Sequence, residues 1–152
     1  MDDLRGCFER AFVEIDDKAR EILSSVRPAD LFKNLSDPII DHFTVGECII
    51  RSAAVVEQAF NGITRRLWDD PFEWTLPESL PDKPAIEEYL NEVAAARADG
   101  FRYLTSDADL LRSIPAPVGM KSLQEILLDC LLRSSTTLGR ASTGLDIINS
   151  KH

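Results

Sequence analysis

Apolar residues return at three- and four-residue intervals along four long stretches of the chain, which is the period of an α-helix with one buried face. The pattern predicts helices over residues 2–26, 45–68, 83–104 and 122–148. No alternating pattern of useful length indicates a strand. Four long helices in a chain of 152 residues predict one all-α domain, residues 1–152, built as a four-helix bundle.

The predicted second and fourth helices begin with matching polar signals. "TVGE" from Thr44 and "SLQE" from Ser122 both fit a capping box. In this motif the hydroxyl accepts a hydrogen bond from the amide three residues later, and the glutamate carboxylate reaches back. Glu47 and Glu125 are therefore interpreted as helix-start residues and not as paired catalytic acids.

Prolines predict the connections between the helices. Segment 69–84, "DDPFEWTLPESLPDKP", has four prolines and is not a continuous helix. Phe72 and Trp74 within it predict a loop that aromatic side chains hold against the helices. "TSDADLL" is typical of one further capped turn. After it, Pro115 and Pro117 predict an extended or looped segment.

Charge and composition limit the classes of partner that the protein is expected to bind. The net charge of -9 disfavours binding to a nucleic-acid backbone, which requires clustered lysine and arginine. No apolar run approaches the roughly 20 residues of a membrane helix, and the chain starts with acidic residues, unlike a secretion signal. We therefore expect a soluble cytoplasmic protein that binds neither nucleic acid nor membrane.

The cysteines do not form a recognisable framework. The sequence has an odd number of widely spaced cysteines, Cys7, Cys48 and Cys130, and no two of them form a CxxC motif. Each lies among apolar residues of a predicted helix, so we expect three small buried side chains in a reducing compartment. The only histidines are His42 and His152, which leaves a thiol nucleophile with few candidate bases.

Four segments, in the right order over residues 25–148, resemble the DinB-like superfamily of metalloenzymes. They are "FTVGECIIRSAAVVEQAF", "LWDDPFEWTLPESL", "YLNEVAAARADGFRYLTSDADL" and "SLQEILLDCLLRSSTTLGRA". The resemblance implies an up-down-down-up bundle with long connecting loops, often dimeric, that holds a metal between its second and fourth helices. Some members transfer groups to low-molecular-weight thiols such as bacillithiol, mycothiol or glutathione.

The resemblance also implies where the metal ligands would fall. The histidine of helix two corresponds to Arg51, the histidine pair of helix four to Arg133 and Thr137, and a further common histidine to Asp129. Arginine stays protonated and has no lone pair to offer. Thr137 and Asp129 alone fall short of the three or so protein ligands that a transition metal needs. We therefore expect neither a metal nor a cofactor.

The substituted positions allow two interpretations. Asp129 and Arg133 are four residues apart on a helix and can form an ion pair. If Arg51 faces them, the cluster either binds a small anion, such as a carboxylate or phosphate, or clamps the two helices together. The clamp is the simpler interpretation, because a side-chain network at a bundle margin needs no ligand.

These observations lead to two hypotheses for function. The first is a degenerate, metal-free DinB-like protein that binds a small ligand or a partner protein without catalysis and forms a homodimer. The alternative is a thiol-dependent transferase-like enzyme that uses the cleft between helices two and four. Leu128 and Leu132 form a second apolar strip on the last helix, which either covers Phe72 and Trp74 or forms the dimer interface.

Overall fold

A computed structural model describes residues 3–35 and 43–151, and this part of the chain is mostly helical. The prediction of a mainly α-helical protein is confirmed. None of the described helices is long and apolar enough to cross a membrane. The long helices are α1 (Leu4–Ser25), α2 (Val45–Arg65), α3 (Lys83–Tyr103) and α4 (Leu123–Ser150). Short 3-10 turns cover Pro28–Asp30, Pro71–Glu73 and Asp107–Leu111, and strands β1 (Ser113–Ala116) and β2 (Gly119–Ser122) form a hairpin.

Helix α2 ends three residues earlier than its apolar pattern predicts. Arg66 adopts a left-handed conformation with φ 59°, and its amide bonds back to the last turn, which satisfies free carbonyls at the helix end. The chain then folds back, and the Trp68 ring lies so close to Gly62 that an added Cβ would be 2.4 Å from it. Leu67, which continues the apolar pattern of α2 but lies beyond the observed helix end, is 51% exposed.

The segment around Pro115 is extended as predicted, but it pairs as a hairpin, so the expectation of no strands is wrong. The register pairs Ser113 with Ser122 and Pro115 with Met120. Gly119 has φ +130°, which side-chain-bearing residues rarely adopt, and this allows the tight turn. Each strand has four residues, too few for a clear alternating pattern in the sequence.

The predicted capping box forms in full at Ser122, whereas at Thr44 the structure describes one of its two hydrogen bonds. The Glu125 amide donates to the Ser122 hydroxyl at 3.1 Å, and the Glu125 carboxylate accepts from the Ser122 amide at 2.8 Å. At the start of α2, the Glu47 amide donates to the Thr44 hydroxyl at 3.1 Å. Both glutamates therefore lie at helix starts, as the sequence indicates.

Three phenylalanines, one from each of the first three long helices, form an aromatic cluster in the core. The ring centroids of Phe12 and Phe60 are 5.2 Å apart, and those of Phe60 and Phe101 are 5.3 Å apart. All three side chains are buried. The Phe60 ring occupies space beside Gly100 of α3, where a Cβ would lie 2.3 Å from the ring. The cluster therefore joins α1, α2 and α3.

Opposite ends of α1 and α3 meet. The guanidinium of Arg5, near the start of α1, donates hydrogen bonds to the carbonyls of Phe101 and Leu104 at the end of α3. At the other end, the Lys83 ammonium donates to the Val26 carbonyl at 2.8 Å. Charged donors near the end of one helix thus satisfy carbonyls at the end of the other.

The start of α1 is capped from the same region. The Asp107 carboxylate accepts hydrogen bonds from the amides of Leu4 at 3.0 Å and Arg5 at 2.8 Å. These bonds favour the charged carboxylate and lower the pKa of Asp107. Together with Arg5, Asp107 ties the start of α1 to the end of α3.

Candidate functional site

Two buried serines join α2 and α4 where the helices cross. The hydroxyls of Ser52 and Ser134 are 2.8 Å apart, and each also lies 3.0 Å from the other residue's backbone carbonyl oxygen. Near the end of α4, Gly144 faces the start of α2, where an added Cβ would lie 3.1 Å from Val45. The helices run in opposite directions at this contact, and small side chains allow them to approach closely.

A cleft of about 630 Å³ opens beside this crossing, between α2, α4 and the loop after α2. It brings together three of the four residues that the sequence proposes, whereas Asp129 lines a neighbouring cavity of about 430 Å³. Sequence patterns gave no reason to place Gln58, Asp70 or Phe72 at the site. The polar and aromatic side chains that line the first cleft include Arg51, Gln58, Asp70, Phe72, Arg133 and Thr137.

Arg51 is exposed and lies over an aromatic ring. Its guanidinium carbon is 4.1 Å from the centroid of Phe72, a cation–π contact. Phe72 belongs to the 3-10 turn after α2, which Asp70 caps by accepting from the Phe72 amide at 3.0 Å. The prediction that an aromatic side chain holds this loop against the helices is confirmed. Within the described residues, the Arg51 guanidinium donates no hydrogen bond to protein.

Arg133 pairs with its neighbour on the same helix. Its guanidinium lies 3.6 Å from the Asp129 carboxylate, so the predicted pair forms, but both side chains are largely exposed. Exposed pairs of this kind are worth about 0.3–0.5 kcal/mol. The Thr137 hydroxyl donates to the Arg133 carbonyl at 2.9 Å. The contacts among Asp129, Arg133 and Thr137 are therefore all within α4.

The expected Arg-Asp-Arg clamp between the helices is wrong. No described ion pair joins Arg51 to Asp129, and Asp129 faces a different cavity. The clamp consists instead of Ser52 and Ser134, each one residue after an arginine of the cleft. Both arginines are exposed and line the cleft.

The chemistry of the cleft does not fit a metal ion. Arg51 and Arg133 are cationic and offer no lone pair, and Asp70 is the one carboxylate among the six residues named above. Across residues 3–35 and 43–151, no group of three or more histidine, cysteine, aspartate or glutamate side chains is arranged to hold a metal. His42 and His152 lie outside the described residues.

The thiols differ in exposure. Cys48 and Cys130 are buried as predicted, whereas Cys7 is exposed, so the prediction for Cys7 is wrong. Cys7 lies between the apolar residues Leu4 and Phe8 in the sequence. Its side chain nevertheless lies outside the buried face of α1 that includes Phe8. Burial raises the pKa of Cys48 and raises that of Cys130 to about 12, which keeps both as protonated, weakly reactive thiols.

Glu57, which no sequence pattern singles out, contacts both α3 and the loop that carries Phe72. Glu57, on α2, accepts a hydrogen bond from the Tyr89 hydroxyl, and Trp74, two residues after Phe72, interacts with the same carboxylate and lowers its pKa. Partial burial raises the pKa of Glu57, and the nearby Glu92 carboxylate raises it further. Which side chains meet here depends on the register of α2 against α3, so no local pattern predicts it.

Glu57→Gln is expected to change the pH dependence of stability. Because the folded-state pKa of Glu57 is raised above its ordinary value of 4.5, protonated Glu57 favours the folded protein. This contribution is fully present below the unfolded pKa and is lost as the pH rises through the folded pKa. Glutamine keeps an acceptor for Tyr89 but does not titrate. The free energy of unfolding of the variant, relative to wild type, should therefore rise with pH and then level off.

Urea denaturation at several pH values from about 4 to 8 measures this difference. Glu88→Gln, which removes an exposed carboxylate next to Tyr89, controls for the loss of one negative charge. A difference between Glu57→Gln and wild type that stays constant over the whole range contradicts the raised pKa.

The second apolar strip of α4 remains open in the described chain. Leu128 is 49% exposed and Leu132 is 62% exposed. Leu132 lines the same cleft as Phe72, but the loop does not bury it. The interpretation that Leu128 and Leu132 are covered by the loop aromatics is therefore wrong, and the dimer interface stays a prediction.

Comparison of the chain with models of known protein families, with curated proteins and with solved structures found no match. The resemblance to the DinB-like superfamily therefore stays a prediction from the sequence.

Proposed function

We propose that this protein binds a small anionic ligand in the cleft between α2 and α4, without catalysis, as a metal-free relative of the DinB-like bundles. One observation carries the proposal: Arg51 and Arg133, from two different helices, line one open cleft, and neither is used to bridge the helices. The serine pair has taken the structural role that the arginines were expected to fill.

Arginine chemistry supports an anion as the ligand. A guanidinium presents several N–H donors in a planar fork that matches a carboxylate or phosphate. The Phe72 ring supports one face of Arg51 and leaves its edge donors available. Among residues 3–35 and 43–151, the ion-pair partner of Arg133 is the exposed Asp129 at 3.6 Å, which an incoming anion can replace at little cost. In a chain of net charge -9, two cations in one cleft give an anion a defined place to bind.

The proposed architecture is the up-down-down-up four-helix bundle. It is supported by the contacts described above, since opposite ends of α1 and α3 meet and α2 and α4 also run in opposite directions. We include in the proposal a homodimer formed through the exposed strip of Leu128 and Leu132. The unpaired thiols of the three cysteines support a cytoplasmic location.

Thermal unfolding with inorganic phosphate and with acetate, at matched ionic strength, tests the binding proposal. The wild type should melt at a higher temperature as the anion concentration rises, because a ligand of the folded state stabilises it by mass action. Arg51→Ala and Arg133→Ala should each lose most of this response. Arg102→Ala, which removes an exposed arginine of α3 that does not line the cleft, should respond as the wild type does.

The comparison is between the responses to anion and not between the melting temperatures themselves, so a change in stability caused by a substitution does not affect it. An equal response in wild type and Arg51→Ala, or no response in the wild type at tens of millimolar anion, contradicts the proposed function.

A further inference from the structure

The cleft continues past Arg133 into the neighbouring cavity of about 430 Å³. The two spaces share Val55, Gln58 and Arg133 as walls, so Arg133 stands where they join. Both volumes fall within the roughly 300–1,000 Å³ that is usual for small-molecule sites. The two spaces differ in chemistry, because Arg51 lines the first, whereas the second extends beneath the β-hairpin.

The wall of the second cavity beneath the hairpin is apolar. It is formed chiefly by Trp68, Ala116, Pro117, Val118 and Ile126. The indole N–H of Trp68 donates to the Pro115 carbonyl at 3.2 Å, and the Gln58 amide donates to the Trp68 carbonyl at 3.0 Å. These polar groups are therefore satisfied within the protein, and the indole presents its apolar surface.

The charged groups at the edge of this cavity mostly have partners. Glu125 completes the helix cap with Ser122, and Asp129 pairs with Arg133. Lys121 also lies at the edge. At the tip of the hairpin, Val118 lines the cavity and is 89% exposed.

We propose that the ligand is an amphipathic carboxylate, whose head group binds Arg51 and Arg133 and whose unbranched apolar tail enters the cavity beneath the hairpin. This inference rests on the proposed anion site and adds the chemical class of the ligand. The inference is based on the position of Arg133 where the two spaces join. An anion held there has the apolar wall on one side and Arg51 on the other. The tail covers Val118 and the face of Trp68.

A series of straight-chain carboxylates tests this assignment. Isothermal titration with acetate, butyrate, hexanoate and octanoate should show affinity rising about threefold for each added methylene, until the cavity is full. Octanol, which has a comparable tail but no charge, should bind much more weakly than octanoate. In a Trp74→Phe background, which leaves Trp68 as the single tryptophan, octanoate should change the fluorescence and acetate should not.

A substitution at the hairpin tip separates the tail from the head group. Val118→Asp places a charge on the apolar wall at an exposed position, so the fold should be retained. It should weaken octanoate binding at least tenfold and leave acetate binding unchanged. Leu111→Asp, at another position that is 72% exposed and does not line the cavity, is the matched control and should bind octanoate as the wild type does.

The possible results distinguish the two proposals. If acetate and octanoate bind equally, and Arg51→Ala abolishes both, the anion site stands and the amphipathic ligand is refuted. If no carboxylate binds but phosphate still raises the melting temperature through Arg51, the amphipathic carboxylate alone is refuted. If neither phosphate nor any carboxylate binds, both proposals fail. If octanol binds as tightly as octanoate and the arginine variants bind both normally, the site is purely apolar, and both proposals are again overturned.

Discussion

Phe60→Ala is expected to lower the free energy of unfolding by about 3–5 kcal/mol, the cost of removing a large aromatic ring from a packed core. The ring is buried and contacts Phe12 and Phe101, so it joins three helices. It also fills the space beside Gly100, where no side chain of α3 is available to move in. Denaturation by urea, followed by circular dichroism, measures the loss.

Gly100→Ala gives a sharper test of the same contact. In the wild type the new Cβ would lie 2.3 Å from the Phe60 ring, so the substitution should destabilise the protein. In the Phe60→Ala background that clash is absent, and alanine should stabilise the helix by about 0.5–1 kcal/mol relative to glycine. The coupling is refuted if Gly100→Ala has the same effect in both backgrounds.

Phe72→Ala is the control for loss of a phenylalanine outside the core. Phe72 is partly exposed and its described aromatic contact is with Arg51, so its removal should cost about 1 kcal/mol or less. If Phe60→Ala costs no more than Phe72→Ala, the aromatic cluster is not the centre of the core.

Arg5→Ala is expected to lower the free energy of unfolding by about 2–3 kcal/mol. Its guanidinium donates to the carbonyls of Phe101 and Leu104, and removing it leaves the end of α3 without these donors. Its contact with the Phe101 ring, 5.6 Å from the guanidinium carbon to the centroid, is lost as well. Urea denaturation measures the change in free energy.

Two comparisons define what Arg5 contributes. Arg5→Lys keeps the charge but not the planar fork that reaches two carbonyls, so it should recover less than half of the loss. Arg10→Ala removes an exposed arginine of the same helix, whose pair with Asp3 spans 3.4 Å, and should cost about 1 kcal/mol or less. Equal effects of Arg5→Ala and Arg10→Ala are the result that excludes a capping role.

The long helices are predictable from the sequence because each has an apolar stripe and a local start signal. The predicted bounds 2–26 and 83–104 differ from those of α1 and α3 by no more than two residues at either end. The end of α2 and the hairpin are not predictable in this way, because tertiary contacts determine both. Trp68 folds back over Gly62 and donates to the Pro115 carbonyl, and neither contact leaves a periodic signal.

The site was predictable only in part. The family resemblance pointed to Arg51, Arg133 and Thr137, and the structure brings these three to one cleft. Asp129, one turn before Arg133, lines the adjacent cavity instead. The loop residues of the cleft lie outside any helical pattern, so their position depends on the anchor at Glu57, which only the packing of α2 against α3 reveals.

The serine pair has a consequence for the rate and affinity of the anion binding that we propose. If α2 slid by one turn against α4, Ser52 and Ser134 would be buried without partners, at a cost of about 1–3 kcal/mol for each hydroxyl. The spacing of the two arginine-bearing helices is therefore set before any ligand arrives. A preorganised cleft loses little conformational entropy on binding, and association does not wait for the helices to rearrange.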